Sequence, residues 1–314
     1  MWAVGRFDNA AAFVAAAHRL GCAHVEANHQ VSPAMFADLV ALSRQHPGLV
    51  SSVHDTCPAV MELREMTRQG WLLSSPDPER RASAVRIARQ TIASAQAVGA
   101  RAVVLHIGRV HGPGQLDKQL RARYDGDGLW VASETAALRQ ELIRERARLR
   151  EPHLEAVTAS LLELAPDARA AGVRLGLENR YYYPELPAWD EVGILLDRLP
   201  ADVFGYWHDA GHAQNLETLG FGRHEDWLRA YGPRCIGLHL HDCAGLHDHL
   251  PPGRGAIDFA MIRRHVPATA IRVIEVSNTH SEADVAAGVR HLAHLGLYDE
   301  RSGAATFAVH DRQS

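Results

Sequence analysis

Cysteine is scarce: four residues in 314 (Cys22, Cys57, Cys235 and Cys243), far apart in the chain and without a CxxC pair. That is too few for a disulfide framework and suits a reducing cytoplasm, which is the expected location. An excess of basic charge is missing too: 33 lysines and arginines face 37 aspartates and glutamates, for a net charge of -4 and a pI of about 6.6. No global field attracts phosphate backbones, so no nucleic-acid partner is expected. Long hydrophobic runs are absent as well, since no stretch approaches the roughly 18 apolar residues of a membrane span. The start, Met1-Trp2-Ala3-Val4-Gly5-Arg6, has no basic region followed by an apolar run, so neither secretion nor membrane insertion is expected.

What the chain does have is histidine, 20 residues in all. Many of them stand at the ends of short apolar runs. Those runs alternate with longer helical patterns along the whole sequence, the signature of βαβ units and a parallel sheet. Eight candidate strands emerge: Trp2 to Val4, Ala23 to Ala27, Leu49 to His54, Ala102 to His106, Val173 to Glu178, Val203 to His208, Cys235 to Leu240 and Ile271 to Glu275. Helical patterns lie between them, as at Asp8 to Leu20, Pro33 to His46, Pro78 to Val98 and Pro187 to Arg198, with Ser32-Pro33 as a start and Gly21, Gly99 and Gly172 as stops. The expected fold is an α/β (β/α)8 TIM barrel, one domain over residues 1–314. Arg109 to Trp130, rich in glycine and charge, reads as a long loop over the top of the barrel. Ser133 to Arg150 reads as a charged helix that continues past Pro152 toward Ala171.

The ends of the strands are the informative feature. His54 closes Val50-Ser51-Ser52-Val53-His54, His106 closes Val103-Val104-Leu105-His106, and Glu178 closes Leu175-Gly176-Leu177-Glu178. Asp209 follows Trp207-His208, His239 lies in Gly237-Leu238-His239-Leu240-His241-Asp242, and Glu275 closes Val273-Ile274-Glu275. In a parallel barrel the C-terminal strand ends share one rim, where active sites form. Six charged or imidazole groups directly after buried runs are costly one by one, and a common metal ion satisfies them together.

Four segments carry a resemblance: Glu178-Asn179-Arg180, His208-Asp209-Ala210-Gly211-His212, His239-Leu240-His241-Asp242, and His249-Leu250-Pro251-Pro252-Gly253-Arg254-Gly255-Ala256-Ile257-Asp258. Together they resemble the xylose isomerase-like TIM barrel superfamily, which holds sugar isomerases and epimerases, inosose dehydratases and the endonuclease IV group of DNA-repair enzymes. The likeness runs from Glu26 to Glu275. It implies that Glu178, Asp209, His239 and Glu275 bind the shared metal; His241 takes the place of His239 if the strand register differs by two, because both face one side. In the endonuclease IV group further histidines complete a three-metal cluster, and the matching positions are His54, His106, His212 and His249. The remaining ligand of that group is an aspartate two residues before the last histidine. This chain has His247 there, with Asp248 one place off.

Three functions follow. The first is a metal-dependent sugar or sugar phosphate isomerase or epimerase. In it Glu178 and Glu275 form the acid/base pair, as similarity to the ketose 3-epimerases implies, and His212, His106, Glu26 and Arg254 contact a small polyhydroxylated substrate. Glu26 has a competing role as partner of Arg6, and Arg180 is a further candidate contact. Trp130, Trp207 and Tyr181 to Tyr183 are candidate walls. A shell of three carboxylates and one histidine suits Mn2+ best, with Zn2+, Mg2+ and Co2+ as alternatives. An inosose dehydratase-type lyase would share the same metal and base. The second function is a zinc-dependent phosphodiesterase, supported by the extra histidines and opposed by the acidic net charge. The third, a barrel that binds without catalysis, is disfavoured because both glutamates are present. The resemblance also implies a homodimer or homotetramer.

Overall fold

The protein is described from a computed structural model covering residues 4–59, 63–124 and 132–298. Seven parallel strands form the central sheet: β1 (Val25–Ala27), β2 (Val50–His54), β3 (Ala102–Leu105), β4 (Arg174–Glu178), β5 (Phe204–Asp209), β6 (Cys235–Leu240) and, after a hairpin of β7 (Asp242–Ala244) and β8 (His247–Leu250), β9 (Ile271–Ile274). Each strand pairs in parallel with its neighbour in the order β1-β2-β3-β4-β5-β6-β9, and helices surround the sheet. The result is a nearly closed TIM barrel. No helix of the described residues is long and apolar enough to cross a membrane.

The expected first strand, Trp2 to Val4, lies outside the described residues except for Val4. Val4–Arg6 is a short 3-10 turn. The Arg6 guanidinium donates to the carbonyl oxygens of Asn278 and His280, at 2.6 and 2.7 Å. Among the described strands, β1 and β9 are not paired with each other, and a cavity of about 660 Å3 is lined by residues of both and their neighbours, among them Val25, Glu26, Ile274, Glu275, Leu297 and Tyr298.

Local chemistry sets the other elements. Ser32 caps the helix Pro33–Gln45 through its hydroxyl, which accepts from the Met35 amide at 3.2 Å, and Pro33 starts it with a preset φ. Gly21, Gly99 and Gly172 have positive φ where helices end. The segment expected as a loop after β3 contains a helix, Gly114–Ala122, and residues 125–131, including Trp130, lie outside the described residues. Leu120 of that helix packs with Leu142 and Leu219, so spaced leucines overrode the glycine-rich composition. The charged helix runs from Ala132 to Ala171 with Pro152 and Pro166 inside it.

Side chains alternate across a strand with period two. Gly176, Trp207 and Gly237 therefore share one face with Glu178, Asp209 and His239, each two residues further on. Trp207 fills the barrel interior at this level: an added Cβ at Gly237 would lie 2.1 Å from its ring, and one at Gly176 2.9 Å. The glycines are the space that the indole occupies. Its ring also packs against His239, with centroids 5.3 Å apart, and forms the floor of the layer above.

Candidate metal centre

Above Trp207 the same parity delivers polar groups. Ligand-capable atoms of Glu178, Asp209, His239 and Glu275 all lie within 4.8 Å of one another. His239 is the hub. Its Nδ1 is 2.6 Å from Glu178 Oε1, 3.1 Å from Glu275 Oε2 and 3.6 Å from Asp209 Oδ2, while its Nε2 is 3.0 Å from Glu26 Oε1. Glu178, Asp209 and His239 are almost wholly buried.

Burial alone would neutralise these acids, but their neighbours prevail. Arg180, His106 and His239 hold the Glu178 carboxyl well below the ordinary range against desolvation. His212 and His241 do the same for Asp209, and His239 with His249 bring Glu275 down to about 2. The counterpart appears on the imidazoles: against burial, Glu275, Glu26 and Glu178 raise His239 well above its usual value, and Asp209 raises His241 to about 9. A proton on His239 would supply positive charge where the carboxylates of Glu26, Glu178, Asp209 and Glu275 converge. Three oxygen donors and one nitrogen gathered out of water fit a divalent cation, which would replace that proton.

Around this group stand the other histidines singled out in the sequence. His106 Nε2 is 2.8 Å and His54 Nε2 3.9 Å from Glu178 Oε2. Burial, then Arg180 and His54, push His106 well below its usual pKa and leave a neutral imidazole. His212, Asp248 and His249 make a second group of donors, and His241, His249 and Glu275 a third. His247 is exposed on β8, and Asp248 occupies the place beside His212 and His249. His241 follows β6 and puts Nε2 3.0 Å from both oxygens of Asp209. Gly211 makes room for it, since a Cβ there would lie 2.1 Å from the His241 ring.

Not every candidate joins the cluster. Arg254 is exposed and pairs with Asp284 at 2.8 Å. The Glu26 carboxylate meets His239 and accepts from the Ser52 hydroxyl at 2.7 Å. Arg180 is ion-paired with Glu178 and with Glu185.

Sequence reasoning missed a supporting layer. The Asn179 side chain accepts from the Asp209 amide at 2.8 Å, donates to the Asp209 carbonyl at 2.9 Å, and accepts from the Tyr206 hydroxyl at 2.8 Å. Tyr206 also meets His208 Nδ1 at 2.8 Å, and His208 Nε2 meets His224 Nε2 at 2.9 Å. The adjacency of Asn179 to Glu178 was the available signal.

The sequence matches the family described as xylose isomerase-like TIM barrel over residues 14–295. The chain belongs to that family. Among solved structures, this xylose isomerase-like barrel is similar to an L-ribulose 3-epimerase, with 19% identity, a TM-score of 0.65, and 99% of this chain and 97% of that one covered. It is also similar to a D-tagatose 3-epimerase-like protein (18% identity, TM-score 0.60, 88% and 89% covered) and to the 3-keto-D-glucoside 4-epimerase YcjR from E. coli (14%, 0.59, 93% and 95%). At such identities the likeness establishes the fold alone. No curated protein sequence matches the chain.

Proposed function

We propose that this protein is a divalent-metal-dependent sugar or sugar phosphate isomerase or epimerase, in which Glu178 and Glu275 move a proton at a carbon next to a carbonyl. The observation that carries this reading is the donor set itself: Glu178, Asp209, His239 and Glu275, three acids and one imidazole, converge within 4.8 Å. The family, and structural neighbours named as sugar 3-epimerases, support it.

These four residues would hold the cation, with Mn2+ the best match to a mostly oxygen shell. Its contribution would be to offset negative charge that develops on substrate oxygens as the carbon-bound proton leaves. The protein does the rest. Glu178 and Glu275 are held ionised and so are ready to accept a proton. One carboxylate takes the proton from carbon and the other returns one, to the opposite face for epimerisation or to the adjacent carbon for isomerisation. His106 and His212 border the cluster and would bond substrate hydroxyls. Trp207 closes the site from below and keeps water out of that side.

The reading is tested by turnover of a ketose in deuterated water. Wild type is expected to incorporate solvent deuterium in a manner abolished by chelator. Glu275→Gln is expected to lose incorporation while keeping its circular dichroism spectrum. Retained exchange in Glu275→Gln would remove the acid/base role, and loss of water from the product would mark a dehydratase-type lyase instead.

One observation favours a second reading. His54 and His106 beside Glu178, with the separate group His212, Asp248 and His249, provide donors for further ions, as a zinc-dependent phosphodiesterase requires. Metal content of the purified protein separates the two. One manganese per chain supports the sugar reading, and three zinc ions support phosphoester hydrolysis.

A further inference from the structure

A second cavity, of about 290 Å3, opens between the segments that follow β4 and β5. Arg180 and Glu185 line it together with Tyr182 and Trp189. Among the described residues only three large apolar side chains are exposed, Leu162 at 46%, Tyr182 at 43% and Trp189 at 44%. Two of the three therefore flank one cavity. Exposed aromatics beside a pocket with a few polar groups fit a ligand-recognition surface.

Arg180 stands between this cavity and the metal centre, since Nη1 meets Glu178 and Nε lies 3.6 Å from Glu185 Oε2. The aromatic walls are held in place from outside. The Arg121 guanidinium lies 4.8 Å from the centre of the Tyr182 ring, and the Trp189 carbonyl accepts from the Tyr231 hydroxyl at 2.6 Å. Tyr183 stacks on Phe221 with centroids 3.9 Å apart, which ties the segment after β4 to the one after β5.

A sugar ring has apolar C–H faces and a rim of hydroxyls. The faces match aromatic rings, and the hydroxyls need both donors and acceptors, which Arg180 and Glu185 supply. The volume suits one ring, at the lower end of the roughly 300 Å3 and upward found for ligand pockets. We propose that this cavity is a subsite for a second sugar ring, so that the substrate is a glycosylated sugar whose reacting unit sits at the metal centre and whose other ring lies against Tyr182 and Trp189. This rests on the sugar isomerase reading above.

The test is calorimetric binding of D-fructose, maltulose (4-O-glucosyl-fructose) and isomaltulose (6-O-glucosyl-fructose) to the manganese-loaded full chain. At least one glucosyl ketose is expected to bind tenfold more tightly than fructose. Trp189→Ala and Tyr182→Ala are each expected to reduce that preference at least fivefold, Trp189→Phe to retain it, and fructose binding to stay the same in all three. If both glucosyl ketoses bind no better than fructose, or bind better but equally well to both alanine variants, the subsite is overturned. Deuterium incorporation into the same ketoses reports the chemistry separately: Trp189-dependent binding without exchange would sink the isomerase reading and leave the subsite standing.

Discussion

His239 Nδ1 lies 2.6 Å from Glu178 Oε1, although the strands that carry them, β6 and β4, are separated by β5. Groups on non-neighbouring strands meet at this distance only where the sheet curls back on itself and both side chains point inward. The contact is thus a property of the barrel interior and not of any local motif.

Replacing that imidazole tests the hub. His239→Ala is expected to lower divalent-cation affinity more than about 100-fold. The rise in melting temperature on adding manganese is expected to vanish, because ligand-linked stabilisation follows occupancy. Calorimetric titration and thermal melts with and without manganese check both.

Asn179 is expected to act through Asp209. Asn179→Ala removes three bonds, two of them to the Asp209 backbone. A loss of 10- to 100-fold in metal affinity is expected, with about 2 kcal/mol of stability lost. Metal titration and urea unfolding measure the two effects. Unchanged affinity with lowered stability would make Asn179 structural only.

The contrast between His239 and Asn179 shows what the sequence displays. Acidic and imidazole residues directly after a buried run are visible because strand parity and the shared rim fix where they point, so the barrel and the converging donors are readable. Asn179, Tyr206 and Asp248 act through cross-strand or hairpin geometry, which no spacing along the chain encodes. The helix Gly114–Ala122 was hidden by Gly112-Pro113-Gly114, although Leu116 and Leu120 stand four apart on its packed side. Trp2 to Val4, read as a strand, is described only at Val4, which opens a 3-10 turn.

His224 supplies a pH test. Burial lowers it from 6.5 to about 4, with Asp209 and Asp258 opposing. The folded protein therefore binds fewer protons than the unfolded chain between those values. Its cost is absent above pH 6.5, grows as pH falls, and is complete below about pH 4, on the order of 3 kcal/mol. Urea unfolding from pH 7.5 to 4 is expected to show declining stability, and His224→Gln a shallower decline.

Arg146 anchors the long helix to the loop after β4. Its Nη1 and Nη2 lie 2.7 Å from the two oxygens of Glu191, and it also donates to the carbonyl oxygens of Tyr183 at 2.8 Å and Glu185 at 3.0 Å. Both partners of the ion pair are buried. Arg146→Ala is expected to cost about 3 to 5 kcal/mol, because a buried carboxylate is left alone. Arg146→Ala combined with Glu191→Ala is expected to cost less than the single change, and chemical denaturation of the set checks this.

The unpaired edges β1 and β9 have a mechanical meaning. Glu26 and Glu275 stand on either side of that seam, and His239 touches both, at 3.0 and 3.1 Å. Elsewhere main-chain ladders set the girth of the wall. Here, among the described residues, carboxylates and one imidazole reach across between the two lips. Charge held among them bears on both lips at once, and emptying the centre is expected to loosen the wall along the same line.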